Sequence, residues 1–273
     1  MSRSYPLRLT AALALVALGA TASAQQITFK DPTGDDNGPG TYKYPTDTVY
    51  KPGSFDLTQF AVKKNGDKLD FEVTVNSSLE DPWKMGVGFA VQMVMIFIDQ
   101  DQKEGSGFTD GLPGLYVKFA PADAWDKAVI LSPQGASRVK AEVASKAPAM
   151  KDAVLVPERT KGSGRKIFAS VPLKNLGGDG DFTKWGYQVL VQSNEGFPDS
   201  KEVLTRRVNE YEGQHRFGGG KDGLCDPHVM DILAGDGKGD KSEIDAQHQM
   251  LKYECAEDES VKSMATLTTV HQK

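Results

Sequence analysis

Residues 87–99 read VGFAVQMVMIFID, the most apolar run beyond residue 24. Their β-branched and aromatic side chains favour extended backbone over helix. A run that is apolar at nearly every position, rather than at alternate ones, describes a strand covered on both faces in the middle of a sheet. Gln92 is the one polar residue in its interior, so the buried amide must find partners. Met93 and Met95 stand two apart and share a face, and such methionines ordinarily fill core space.

Working outward, Lys68–Val75 (KLDFEVTV) alternates apolar and polar, as a strand with one wet face does. Asn65-Gly66 just before it is a strong hairpin turn, leading back to a strand through Phe60 and Val62. Downstream, strands are expected over residues 115–119, 128–131, 138–143, 153–156, 166–171 and 185–192, and in the tail over 248–255 and 261–270. Only residues 121–125 and Leu173–Leu176 read as helical turns. Many strands, turn clusters between them and almost no helix specify an all-β fold, an antiparallel β-sandwich.

The first 24 residues read as an export signal. Arg3 and Arg8 form a positive start, residues 9–18 an apolar centre, and Ala22-Ser23-Ala24 a small-residue cleavage site. The apolar run is too short to anchor in a bilayer, and no later stretch approaches a membrane helix. The mature protein is therefore expected to start at Gln25 and be exported, to the periplasm, the cell envelope or the medium. The chain carries a formal charge of −5, and loss of the two signal arginines makes it more acidic. That argues against nucleic acid or an anionic membrane as partner. Cys225 and Cys255, the two cysteines, are expected to pair in an oxidising compartment. A β-rich tail, 234–273, is stapled by that disulfide, and residues 235–242 within it read as a flexible polar hinge.

The loop that precedes the sandwich is the richest in chemistry: residues 31–62 read DPTGDDNGPGTYKYPTDTVYKPGSFDLTQFAV. Asp31, Asp35 and Asp36 repel one another within six residues unless turn hydrogen bonds or a cation offset them. With Asp56, and the Asn37 carbonyl, they form a hard-oxygen donor set suited to calcium. The competing reading is a solvated acidic turn. A second acidic run, residues 99–111, is not an EF-hand. Lys103 stands at the fifth position and Asp110 where the bidentate glutamate belongs.

The segments DPTGDDNGPGTYKYP, PGSFDLTQFAV, DPW and GFAVQMVMIFID resemble the C-terminal binding module of glucodextranases and amylopullulanases. FASVPLKNLG, WGYQVLVQS and FGGG…DPHVMDIL extend the likeness. That module is DOMON-like, related in shape to family-9 carbohydrate-binding modules. The resemblance runs from about Ile27 to Leu233, giving a domain over 25–233 with the tail outside it. It implies a jelly-roll-like sandwich, binding to polysaccharide or cell-envelope components, and calcium at the acidic turns. Glucodextranases append the module to a catalytic domain, and these 273 residues contain none, so the expected work is structural or adhesive.

Sugars stack their apolar C–H faces on aromatic rings. Tyr42, Tyr44, Trp83 and Trp125 are the stacking candidates, each also a candidate for the core. His215, His228, His248 and His271 all lie in the last quarter, which raises an alternative: a copper, zinc or haem redox protein, such as a copper-dependent superoxide dismutase-like activity. His215 and His228 would ligate the metal, and Met93 or Met95 a non-covalent haem. Their spacings match no compact ligand motif. GxSxG, HExxH and P-loop patterns are absent, and no pair of acids is placed at glycosidase spacing. The sequence favours a non-catalytic binding protein.

Overall fold

A computed structural model describes Met1 and residues 25–178 and 180–272. Residues 2–24 of the expected export signal lie outside the described residues. The chain opens with β1 (Gln26–Lys30) and, after the acidic loop, runs through β2 (Leu57–Asn65) and β3 (Lys68–Val75). Next come β4 (Gln92–Asp99), β5 (Val117–Phe119), β6 (Lys127–Leu131) and helix α1 (Ala136–Lys146). β7 (Val154–Leu155), β8 (Thr160–Ser163), β9 (Lys166–Pro172) and β10 (Gly186–Ser193) follow. The last part holds β11 (Asp231–Ile232), α2 (Ser242–Met250), β12 (Glu254–Cys255), β13 (Val261–Ser263), β14 (Ala265–Leu267) and β15 (Val270–His271).

These strands form a sandwich. One sheet has the order β1-β2-β3-β9-β8; the other runs β11-β10-β4-β6-β7, with β15 also pairing on β10. All pairings within them are antiparallel except β6 with β7. The first sheet keeps one wet face: in β3, Leu69, Phe71, Val73 and Val75 point in while Lys68, Asp70, Glu72 and Thr74 point out, as the alternation requires.

β4 and β10 behave differently. Every residue of both strands is buried, and they pair residue for residue from Gly186–Asp99 to Ser193–Gln92. Val94, Ile96 and Ile98 face the five-stranded sheet across the main core. Met93, Met95 and Phe97 face a second core, closed by Val139 and Val143 of α1, β5, β14 and Leu251 beyond α2. The Gln92 amide donates to Ser54 O at 3.2 Å, and that of Gln188 to Thr268 O at 2.8 Å. The continuous apolar run thus has the two-sided burial its composition demands.

Two expected strands are helical. Residues 138–143 lie in α1. Val139 and Val143 fit both an alternating strand and an i,i+4 helical stripe, and the alanines tip the balance toward helix. Residues 248–250 finish α2, leaving only Glu254–Cys255 extended. The buried residues of α2 are Glu243 and Gln247, so no apolar stripe announces the helix. The expected hinge at 235–242 is pinned: the Glu243 carboxylate accepts backbone N–H groups from Asp236, Lys238, Gly239 and Asp240 at 2.7–3.2 Å. Cys225 and Cys255 are joined in a disulfide. By chain entropy a loop of that size contributes roughly 3–4 kcal/mol.

The two-core arrangement makes a stability prediction. Ile96→Ala, at a position with no exposed surface, should cost about 2–5 kcal/mol, read as a lower guanidinium midpoint at constant m-value. Val261→Ala on the exposed β13 should change stability by no more than about 0.5 kcal/mol. Equal losses at both sites would contradict the central placement of β4.

Candidate functional site

The acidic loop folds inward. Asp31 follows β1 directly, and its backbone N–H donates to Thr58 O at 3.1 Å. Asp35 and Asp56 close around it, and β11 delivers a fourth acid, Asp231, from far along the chain. All four are at least 95% buried. One carboxylate oxygen each from Asp31, Asp35 and Asp231 lies within 4.8 Å of the others.

Some of these oxygens are engaged. Asp231 accepts Leu57 N–H at 2.6 Å and Ile232 N–H at 2.8 Å. Asp56 Oδ2 accepts Gly34 N–H at 2.8 Å and the Asn76 amide at 3.1 Å. The others have no partner: both oxygens of Asp31, and Oδ1 of Asp35, Asp56 and Asn37, are buried without a hydrogen bond. The Ala234 amide softens the charge on Asp31 without reaching bonding geometry.

Burial raises the pKa of every acid in this box, and the neighbouring carboxylates raise most of them further. Asp31 and Asp231 are driven well above the usual carboxylate range, by burial first and then by the charges of Asp35 and of Asp31 respectively. Asp35 is pushed up to about 7 and Asp56 to about 6, again chiefly by burial. Isolated buried carboxylates with empty lone pairs are costly. A cation held by hard oxygens reverses that cost, and calcium accepts six to eight such ligands at about 2.3–2.6 Å. Asp31, Asp35 and Asp231 fit that role, with Asp56 Oδ1 and Asn37 Oδ1 as further donors.

The sequence placed Asp31, Asp35 and Asp56 here correctly as neighbours, but Asp36 turns away to the Tyr44 hydroxyl, and burial raises its pKa too. Asp231 was missed. Its signal was a single acid set between Met230 and Ile232 in an apolar run. The tail holds the box shut: the Gln247 amide donates to Asp35 O at 2.5 Å, and its carbonyl accepts Ile232 N–H at 3.0 Å. Gly38 supplies the tight turn. It has φ +60°, and a Cβ there would stand 2.3 Å from the Tyr42 ring. A second acidic group, Asp99, Asp101 and Asp126, has its carboxylates occupied by the N–H groups of Gln102, Lys103 and Gln100.

The stacking candidates mostly lose their faces to the core. Trp125 is fully buried, wedged against Phe97 and Phe108, with its indole N–H on Asp110 O at 3.0 Å. Tyr42 is buried and donates to Pro227 O at 2.7 Å. Tyr44 packs on Phe55 and Phe217, and its hydroxyl accepts Phe55 N–H at 3.0 Å. Tyr42 and Trp125 are therefore corrected from sugar platforms to core residues, as aromatic size alone makes common, while Tyr44 is half-buried against the core. Trp83 keeps a half-exposed ring, edge-on to Tyr50.

The histidines are not brought together. His215 is exposed over Tyr50, with Nε2 3.9 Å from Asp47. His228 is buried beneath Tyr116, with Nε2 3.8 Å from Asp226. Among the described residues the groupings of three or more metal-ligating side chains are all aspartate.

With this geometry in place, one comparison decides the family. Residues 27–269 match the C-terminal binding module, SLH-like, of glucodextranase. The chain belongs to that family. The match passes the expected limit at Leu233 and takes in the tail, as the structural role of β11, α2 and β15 requires. No curated protein is significantly similar to the chain.

His228 gives the site region a pH signature. Burial, and then the Arg207 charge, lower its pKa to about 3, against about 6.5 in the unfolded chain. Between those values the unfolded state takes up a proton that the folded ring refuses, so this contribution to stability falls as pH drops. By pH 4.5 the loss is on the order of a few kcal/mol. Urea midpoints at pH 7 and pH 4.5 should show a smaller acid-side loss for His228→Gln than for wild type. An identical pH response would contradict a neutral buried imidazole.

Proposed function

We propose that the chain from Gln25 onward is exported and serves the cell envelope as a non-catalytic binding module, with polysaccharide as its partner and calcium as its structural ion. The match to a binding module over residues 27–269 supports this reading. The absence of hydrolase motifs agrees with it, and among the described residues no helix is long and apolar enough to cross a membrane. Retention of the folded mature protein on insoluble α-glucan or on isolated cell wall is the expected result. Passage through every such matrix, with the protein folded, would overturn the polysaccharide part.

Calcium enters through Asp31, Asp35 and Asp231; the unpartnered buried oxygens of Asp31 and Asp35, and the approach of an Asp231 oxygen to within 4.8 Å of them, support it. The ion supplies the positive charge that lets these acids stay ionised together. It also ties the opening loop to β11 and so to the tail. The unfolded chain has no assembled site, so calcium at a hundred times its dissociation constant adds about 2.7 kcal/mol of stability. Magnesium, small and slow to shed water, adds much less.

Thermal melts with chelator, calcium and magnesium test this. Wild type should melt several degrees higher in calcium than in chelator. Asp31→Asn with Asp35→Asn should lose that response, yet melt no lower than wild type in chelator, because the substitutions relieve buried repulsion and Asp31 has no hydrogen bond to lose. An unmoved wild-type midpoint would make the box a protonated carboxyl cluster and no ion site.

A further inference from the structure

The wet face of the five-stranded sheet carries a cleft of about 1020 Å³. Register defines its floor: Ala61, Glu72 and Phe168 lie in one row across β2, β3 and β9, and Lys63, Asp70 and Ser170 in the next. The crossover from β7 to β8 forms a wall, with Leu155, Val156 and Pro157 presenting apolar surface and Arg159 and Lys161 beyond them. The same wall bounds a neighbouring cleft of about 710 Å³.

Charge in this cleft is unlike that of the whole chain. Lys63, Lys68, Lys151, Arg159, Lys161 and Lys174 line it, all are exposed, and none makes an ion pair or side-chain hydrogen bond among the described residues. Its acids are already engaged. Asp70 accepts Asn65 at 2.8 Å and Ser170 at 2.5 Å, Glu72 pairs with Lys166 at 2.6 Å, and Glu158 with Lys140 at 2.9 Å. A protein of net charge −5 thus gathers six unpaired cations in one elongated concavity. Like charges gathered this way repel one another, and an anionic ligand relieves that repulsion.

From this we infer that the cleft binds an acidic polysaccharide, a saccharide chain bearing carboxylate or phosphate groups. The inference rests on the binding-module reading and names the ligand class and the surface. Half-buried Phe168 and the apolar wall receive the C–H faces of the sugar rings. The six free cations receive the acid groups, and Ser170 and the Asn175 amide at the rim suit hydroxyls. Nucleic acid fits less well. Phe168 is the one aromatic ring on the outer face, whereas single strands need a series of stacking platforms, and the protein's overall acidity repels a backbone of such charge density.

The test is binding of the folded mature protein to polygalacturonate, a phosphomannan, neutral dextran and duplex DNA at low salt. The proteins are wild type, Lys63→Glu with Lys161→Glu, Phe168→Ala, and a control with Lys118→Glu and Lys252→Glu, which lie outside the cleft. We expect wild type to bind one or both acidic glycans, with affinity falling as salt rises. The cleft double should bind at least tenfold more weakly, Phe168→Ala several-fold more weakly, and the control within twofold of wild type. Which glycan binds tells carboxylate from phosphate. Equal binding by the cleft double and wild type, or DNA bound as tightly as glycan, would overturn the inference. Binding of dextran alone would overturn it while leaving the binding-module reading intact; binding of no glycan at all would remove both. Acidic-glycan binding that dextran does not compete supports it.

Discussion

The paired strands β4 and β10 are the constraint from which the rest of the architecture follows. Two paired strands of eight residues each, with no exposed residue in either, cannot belong to a two-layer sandwich with water on its outer faces. Both faces of that central pair need cover. The five-stranded sheet covers one with Phe60, Phe71 and Ile167. The other must be covered by something the strand pattern alone does not supply, and α1, β5, β14 and the tail do so. Each large side chain buried there is worth about 1.5–3 kcal/mol of transfer free energy, so the tail is part of the fold and not an appendage.

Covering the second face from the end of the chain sets a problem of anchorage, because α2 has almost no apolar stripe. It is solved with polar groups. Glu243 gathers four backbone N–H groups from its own entry loop, and Gln247 spans from Asp35 to Ile232. The disulfide adds a covalent tie at Cys225 and Cys255. Such buried polar links add little stability beyond an apolar packing of equal size, but leaving one half-made is costly. They select one docking of the tail over its alternatives. The carboxylate box lies at the same seam, and its charge state is thereby coupled to whether the tail is seated.

This explains what the sequence could and could not disclose. The period-two strand at Lys68–Val75 and the continuous apolar strand near Gln92 were legible because side-chain burial at those positions follows directly from residue type. The helix at Ala136–Lys146 was not, since Val139 and Val143 satisfy both periods. α2 was illegible for a stronger reason: its buried face is glutamate and glutamine, which pattern reading assigns to solvent. In the acidic loop the sequence brought Asp31, Asp35 and Asp56 together because they are near in the chain. It could not bring Asp231, whose approach depends on β11 pairing with β10. The aromatic candidates failed from a different cause. Tyr42, Tyr44 and Trp125 could each have stacked on sugar or packed in the core; residue type does not decide between these, and the loops that carry them pack inward on their rings.

The distribution of charge completes the argument. Asp31 follows β1 and Gln26, which lines the cleft, begins it, so the box and this edge of the cleft are separated by about 16 Å of extended chain. That is about twice the Debye length at physiological ionic strength, and burial shifts these carboxyls toward their neutral form, so they do little to cancel the cations on the sheet face. An acidic protein can in this way offer a locally basic surface. The engaged state of Asp70 and Glu72, held by Asn65, Ser170 and Lys166, preserves that separation at the level of single side chains. Acids near the cleft are spent on neighbours, and the lysines that face open space are not. The same chain therefore holds two electrostatic features apart, a box of buried carboxyls at the seam that closes the fold and a group of six unpaired cations on the wet face of the five-stranded sheet.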